Sequence, residues 1–504
     1  MKTYELERTA EVIPAGKYRQ TQAGDIESPL PEQRGIHTKT KSGVRLEDIA
    51  GEFKRAYGSI PDFRWLDSLS ELRSRRIQLR DKCGDNAGFR HGPPGSPGPV
   101  WMDVGRTAGL QRQAYGEKEI PSHSRDPFLP IQILDLASNK KTPFLLFDME
   151  RLMRNYSILQ GALKGAEIYY PVKSNDHPHI LSTLHGLGSG FEAASWGELE
   201  GLLAIGVSPR RIIFGAPIKS IDGIASAYEA GVRLFAYDSY AEISKLSSAA
   251  PGCSVYLRLS VPFRGDSIFP LNGKFGVEPQ EALQLLQAAG KEGLEPCGLS
   301  FHVGSQCLEP SSWWRAIASA ACVWEQALRA GLRMSILNLG GGIPIPYCDP
   351  VPDKEVFLSH IALALSSHFR DIPQIILEPG RAMVGDIAVM VGSVIGKAYR
   401  EGKDWIYLDT GIYQGLVEAA QEPGRFSYRI CTAGAGPLRE YIIGGPTCDS
   451  SDVIARKVFL PEVECGDLLF IFNTGAYTNV CATNFNGFPP PQIYYLDYGE
   501  EVEQ

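Results

Sequence analysis

A chain of 504 residues with 43% hydrophobic content is long enough to bury a large core and to form two or three domains. Its net charge of −8 and isoelectric point near 5.7 speak against a nucleic-acid surface and leave small molecules as the expected ligands. No apolar run approaches the ~20 residues of a membrane span, the start MKTYELERTAEV has no hydrophobic signal segment, and the ten cysteines include neither a CxxC pair nor a Cys/His group at zinc spacing, so a cytoplasmic protein without a bound metal or a disulfide framework is expected.

Residues 1 to about 125 are charged and polar, with a Gly/Pro-rich break from Gly92 to Pro99 that sustains neither helix nor strand. They form an N-terminal extension. Within it Leu46, Ile49, Phe53 and Tyr57, then Trp65, Leu69 and Leu72, recur at helical spacing and predict one or two amphipathic helices, while Arg73, Arg75, Arg76 and Arg80 make a solvated helix face.

From Pro143 the texture changes to short β-rich runs alternating with helix-length segments, the pattern of βα units and a parallel sheet. After Phe144–Phe147 and a helix from about Glu150, eight apolar runs follow: 167–172, 190–194, 211–214, 234–237, 254–259, 298–302, 336–339 and 374–377. Helical segments such as 196–205 and 280–289 lie between them. Eight strands, each with a crossover, close a (β/α)8 barrel spanning 143–382, in the α/β class. An open doubly wound sheet is the competitor, but no GxGxxG follows a first strand. Beyond Met383 the helical period fades and strand-like runs at 387–394, 405–408, 441–443, 467–472 and 492–496 predict a C-terminal β-domain over 383–504, which Phe144–Phe147 can join because sheet partners need not be sequence neighbours.

The residues that end the eight runs are polar or glycine: Lys173, Glu192 with Ser195, Arg258, His302 with Gly304 and Ser305, Gly340–Gly342, and Glu378 with Gly380 and Arg381. In a barrel they all face one mouth, where barrel enzymes keep their chemistry. Three glycines after a strand let backbone N–H groups approach an anion, and Arg381 can add a bidentate charge, which together make a phosphate cup. A desolvated lysine suits Schiff-base chemistry with an aldehyde. An aldehyde and a phosphate on one ligand point to pyridoxal phosphate, with Glu378 as the carboxylate that keeps its ring nitrogen protonated and His302 stacked on the ring. Taken singly, the three glycines are also a common turn, Glu378 and Arg381 could form a structural ion pair, and His302 could be a satisfied core histidine.

In order along the chain, PVKSN, SFHVGSQC, NLGGG, EPGR, GGPTCDSSD, GAYT and FNGFPPPQIYYL resemble the fold-type III pyridoxal-phosphate decarboxylases, specifically the ornithine/lysine branch, from Pro143 to Leu496. The resemblance implies that Lys173 carries the cofactor, His302 stacks on its ring, and Glu378 pairs with its nitrogen. It also implies that Ser305, Gly341, Gly342, Arg381 and Tyr477 hold the phosphate beside Gly380, and that Arg258 supports the ring's surroundings. Cys448 would protonate the α-carbon after CO2 leaves and Asp449 would bind the substrate's distal amine. Both would reach the neighbouring subunit's site in a head-to-tail homodimer, with Phe485 lining the same site.

One position departs from the eukaryotic ornithine decarboxylase pattern, which has an aspartate nine residues after the tyrosine of the GVY motif. Counting from Tyr413 reaches Glu422, with Glu418 as the substitute if the alignment shifts. The added methylene changes chain-length preference modestly. The expected substrate is a basic L-amino acid, ornithine first, with lysine or a modified diamino acid open. Diaminopimelate decarboxylases typically have glutamate where this chain has Asp449, alanine-type racemases lack the CDSSD and GAYT series, and an inactive regulatory homologue would have lost cofactor residues that are all present here.

Overall fold

The computed structural model describes residues 139–503 apart from 262–265, 272, 372 and 498–499, together with residues 133 and 137. The expectations for residues 1 to about 125, including the amphipathic helices, lie outside the described residues.

The first strand, β1 (Phe144–Asp148), leads into α1 (Met149–Ala162), whose N-terminus is capped by the Asp148 carboxylate accepting from the Arg151 N–H. Strands β2 (Glu167–Pro171), β3 (Gly190–Ala193), β4 (Ile212–Phe214), β5 (Leu234–Tyr237) and β6 (Ser254–Arg258) then run parallel to one another. A short antiparallel pair of β7 (Ser267–Phe269) and β9 (Ser305–Cys307) flanks β8 (Glu295–Ser300) in sequence, and β10 (Ile336–Asn338) and β11 (Gln374–Leu377) follow. The parallel strands close as β10-β11-β2-β3-β4-β5-β6-β8, so the eight runs marked in the sequence are the eight barrel strands. Capping serines set the start of the helices that follow β3 and β5. Ser195 Oγ accepts from the Glu198 N–H and Ser239 Oγ from the Glu242 N–H, each a Ser-x-x-Glu start. Ser195, one of the polar residues at the strand ends, is thereby a cap.

Tyr169 of β2, Ile213 of β4 and Ile376 of β11 form a small buried cluster with Leu234 and Ile336 packed on it. Its members come from strands around the ring and lie early or midway in them, so they fill the barrel below its carboxyl-end mouth. The main core lies between the strands and the surrounding helices, where Phe191, Phe235, Leu257 and Leu299 are fully buried.

The polypeptide leaves the barrel through β12 (Ala388–Arg400) into a second sheet with β13 (Lys403–Leu408), β14 (Ile430–Thr432), β15 (Arg439–Gly444), β16 (Val453–Leu460), β17 (Leu468–Phe472), β18 (Gln492–Asp497) and β19 (Glu500–Glu503). β1 lies inside this sheet, antiparallel to β12 and parallel to β18, so the segment that precedes the barrel in sequence is bonded to strands that follow it. No helix among the described residues is long and apolar enough to cross a membrane.

Candidate active site

Lys173 lies in the turn Val172–Ser174 directly after β2, with 43% of its side chain exposed. Its Nζ donates to Glu192 Oε2 at the end of β3, and the Glu192 side chain is only 4% exposed. Room for that carboxylate comes from Gly215, where a Cβ would stand 2.4 Å from Glu192 Oε1. Partial desolvation alone favours the neutral amine of Lys173, but the carboxylates of Glu192 and Glu378 outweigh it and hold the lysine as an ammonium. Glu378, after β11, is pushed up to about 7 by burial and then by the charge of Glu192; Lys173 and the Asn338 amide oppose the shift. Asn338 Nδ2 donates to Glu378 Oε1 at 2.6 Å while its Oδ1 accepts from the Gly340 N–H at 2.9 Å, so one amide at the end of β10 fixes both the carboxylate and the glycine turn.

The turn itself is tightly enclosed. A Cβ on Gly341 would lie 2.6 Å from the Glu378 carbonyl oxygen, and Gly342, at φ 119°, would bring one within 2.5 Å of the Gly304 carbonyl oxygen. The N–H groups of Gly341 and Gly342 find no acceptor among the described residues. His302, after β8, accepts the Gly304 N–H at Nδ1, 3.0 Å, which places its own proton on Nε2. Burial, then the charges of Arg258 and Lys173, lower its pKa well below the usual range and keep the ring neutral. Arg258, at the end of β6, lies over the Phe275 ring at 5.4 Å.

Beside this turn, Arg381 Nε donates to Ser305 Oγ at 3.1 Å, and its guanidinium lies 5.1 Å from the Tyr477 ring centre. Tyr477 has a positive φ of 60° and is tied to the Lys173 turn by its N–H to the Ser174 carbonyl, 2.8 Å, and by the Ser174 hydroxyl to its own, 3.4 Å. Gly380 lets this segment approach, since a Cβ there would fall 2.0 Å from Ser174 Oγ. The bidentate charge expected of Arg381 toward a phosphate points elsewhere: the Glu418 carboxylate takes NH1 at 2.9 Å and also NH2, and Tyr347 Oη accepts from NH1.

A second set of residues gathers around the loop after β15, with Tyr413 and Phe485 reaching it from other turns. Tyr413 Oη donates to Asp449 Oδ2, Ser451 N–H donates to Asp449 Oδ1 at 2.9 Å, and the Tyr413 and Phe485 rings lie 4.3 Å apart. The Ser451 N–H and then Tyr413 hold Asp449 below the ordinary carboxylate range. Cys448 is exposed, its N–H bonded to Asn486 Oδ1 at 2.9 Å. No hydrogen bond or ion pair among the described residues joins Cys448 or Asp449 to Lys173, His302 or Glu378. Of the two glutamates weighed for a distal amine, Glu418 is spent on Arg381 and is no substitute, and Glu422 pairs with Arg425 at 3.3 Å.

Residues 149–385 match the family described as pyridoxal-dependent decarboxylase, pyridoxal binding domain. The lysine/ornithine decarboxylase of Selenomonas ruminantium is 36% identical over 371 residues, which is 73% of this chain and 93% of the relative. The chain belongs to the fold-type III pyridoxal-phosphate-dependent decarboxylases, in the ornithine-decarboxylase-like branch. Among solved structures, this decarboxylase is similar to the lysine/ornithine decarboxylase of Vibrio vulnificus complexed with putrescine, at TM-score 0.66 and 34% identity over 72% of this chain and 97% of that one. It is also similar to the arginine decarboxylase of Paramecium bursaria Chlorella virus, at TM-score 0.68 and 30% identity over 72% and 98%.

The decarboxylase's residues fit that cofactor. Two acceptor-free glycine N–H groups, the Ser305 hydroxyl and a buried arginine are donors suited to a phosphate, and an amine and a carboxylate face the same mouth. Sequence reasoning placed Glu192 at the mouth without a role and missed Asn338, Tyr347 and Asp452. Asp452 carries a readable signal only in retrospect. Its carboxylate collects the Ile412 and Thr447 N–H groups at 2.9 and 3.1 Å and the Thr447 hydroxyl at 2.6 Å, and a Cβ at Gly411 or Gly445 would collide with it at 2.2 Å. The glycines flanking it in DTGIY and GGPTC are the trace of that buried carboxylate.

Proposed function

We propose that this decarboxylase removes the α-carboxyl group of a basic L-amino acid, ornithine first, giving putrescine, in a homodimer whose two active sites are shared. The observation that carries the substrate class is Asp449. It is a carboxylate held ionised by the Ser451 N–H and Tyr413, at the surface beside Cys448 and Phe485, and suits a distal ammonium. Relatives named lysine/ornithine and ornithine decarboxylase support the same class.

In this reading Lys173 would bind the cofactor's aldehyde, and Ser305, Gly341, Gly342, Tyr477 and Arg381 would hold its phosphate. When bound, the cofactor supplies the electron sink for the pair left as CO2 departs. The other steps belong to the protein. Glu192, already bonded to the Lys173 amine, would hold that amine whenever it is free of the cofactor. Glu378 would hold a proton at the ring nitrogen, and neutral His302 would pack on the ring without adding charge. Cys448 Sγ would deliver the proton to the α-carbon, and Asp449 would pair with the distal ammonium and so select the length of the chain between them. That no hydrogen bond or ion pair among the described residues joins the Cys448–Asp449 set to Lys173, His302 or Glu378 supports its use on a second copy's site.

The test is a substrate panel. Purified protein with pyridoxal phosphate is given ornithine, lysine, arginine and diaminopimelate, and CO2 and amine are measured. The highest kcat/KM is expected with ornithine; turnover of diaminopimelate above all three basic amino acids would overturn the assignment.

A further inference from the structure

Arg381 and Glu418 are among the most enclosed charges at the site, their side chains 3% and 5% exposed. A guanidinium has five N–H donors. Nε goes to Ser305, NH1 goes to Tyr347 at 2.5 Å and to Glu418 at 2.9 Å, and NH2 goes to the other Glu418 oxygen. The two-pronged face of the arginine, the part that matches a carboxylate or phosphate, is therefore filled by the protein's own carboxylate, and one N–H is left. Glu418 stands at the start of the short helix Glu418–Gln421, in the segment that also carries Tyr413, and its partner comes from the end of the barrel.

We infer that Glu418 is an internal counter-ion for the phosphate cup. It compensates Arg381 whether or not a phosphate is present, keeps the cup assembled without cofactor, and weakens the hold on the phosphate when it is bound. The inference rests on the reading that Arg381 backs the phosphate site. Its physical basis is that an uncompensated buried cation is strongly destabilising, whereas a carboxylate already on that cation repels an incoming anion and leaves it less charge to meet. Neutralising Glu418 should therefore destabilise the cofactor-free protein and make it bind phosphate more tightly. A purely positioning role gives the opposite sign for phosphate, because a disordered arginine binds it more weakly.

The experiment uses full-length protein freed of cofactor, with inorganic phosphate as the probe and chloride at equal ionic strength as the control, and reads the thermal midpoint of wild type and Glu418→Gln. The expected result is a lower midpoint for the variant in chloride and a larger phosphate-induced rise than in wild type, equivalent to phosphate binding tighter by on the order of tenfold. In an Arg381→Met background the same substitution should give no such gain. A variant that folds in phosphate but not in chloride supports the inference equally, and one unfolded in both overturns it. A phosphate rise in wild type with an equal or smaller rise in the variant overturns the counter-ion role alone. No phosphate-specific rise in either protein overturns it together with the phosphate reading of the cup. No substrate enters the experiment, so a wrong choice between ornithine and lysine cannot affect the result.

Discussion

Lys173 sits between two carboxylates with different duties. Glu192 is bonded to the lysine, while Glu378 is bonded to Asn338 and carries a pKa of about 7 against an ordinary 4.5. Between those values the native carboxyl of Glu378 keeps a proton that the unfolded chain has already released, so its contribution to stability is full below about pH 4.5 and is lost as the pH rises through about 7. Denaturation of the cofactor-free protein across this range should show that decline, and Glu378→Gln should flatten it; an unchanged slope would contradict the assignment. At Asp449, substitution by asparagine should raise the KM for ornithine at least about tenfold, the scale of a lost charged hydrogen bond, with cofactor affinity unchanged in a spectroscopic titration. Lys173, His302, Glu378 and Arg381 were legible because strand ends in a barrel bring polar residues to one mouth. Glu418 on Arg381 was not, because its partner lies 37 residues away and a lone glutamate in GLVEA looks like any other.

At the scale of elements, all eight barrel strands could be read from short apolar runs bounded by breakers, since a strand buried on both faces is apolar throughout. The second sheet was read less fully. Strand β16 escaped notice because exposed Arg456 and Lys457 interrupt its apolar run, and β14 is only three residues long. The two-stranded pair of β7 and β9, which carries Ser305, also has no periodicity to show. The glycine turn after β10 permits a sharp prediction. Gly342→Ala puts a side chain at φ 119° against the Gly304 carbonyl, a backbone cost of roughly 1–3 kcal/mol, and pyridoxal phosphate affinity should fall at least about tenfold in equilibrium titration. Retained affinity would show that the turn does not border the cofactor.

For the whole molecule, sharing of the sites between two chains can be read from mixed assemblies. If each site takes Lys173 from one chain and Cys448 from another, Lys173→Ala and Cys448→Ala proteins, each inactive alone, should regain about a quarter of wild-type activity after mixing and subunit exchange, because half the dimers are mixed and each has one intact site. No recovery, with exchange verified by differently tagged chains, would place both residues in a single-chain site. The covalent attachment of the cofactor at the end of β2 is open to direct chemical capture. Borohydride reduction of the pyridoxal-phosphate-loaded protein, followed by mass mapping of its peptides, should find the fixed pyridoxyl group on the peptide containing Lys173 and lose it in Lys173→Ala. A label on another lysine, such as buried Lys219, or no label on a protein saturated with cofactor, would contradict it.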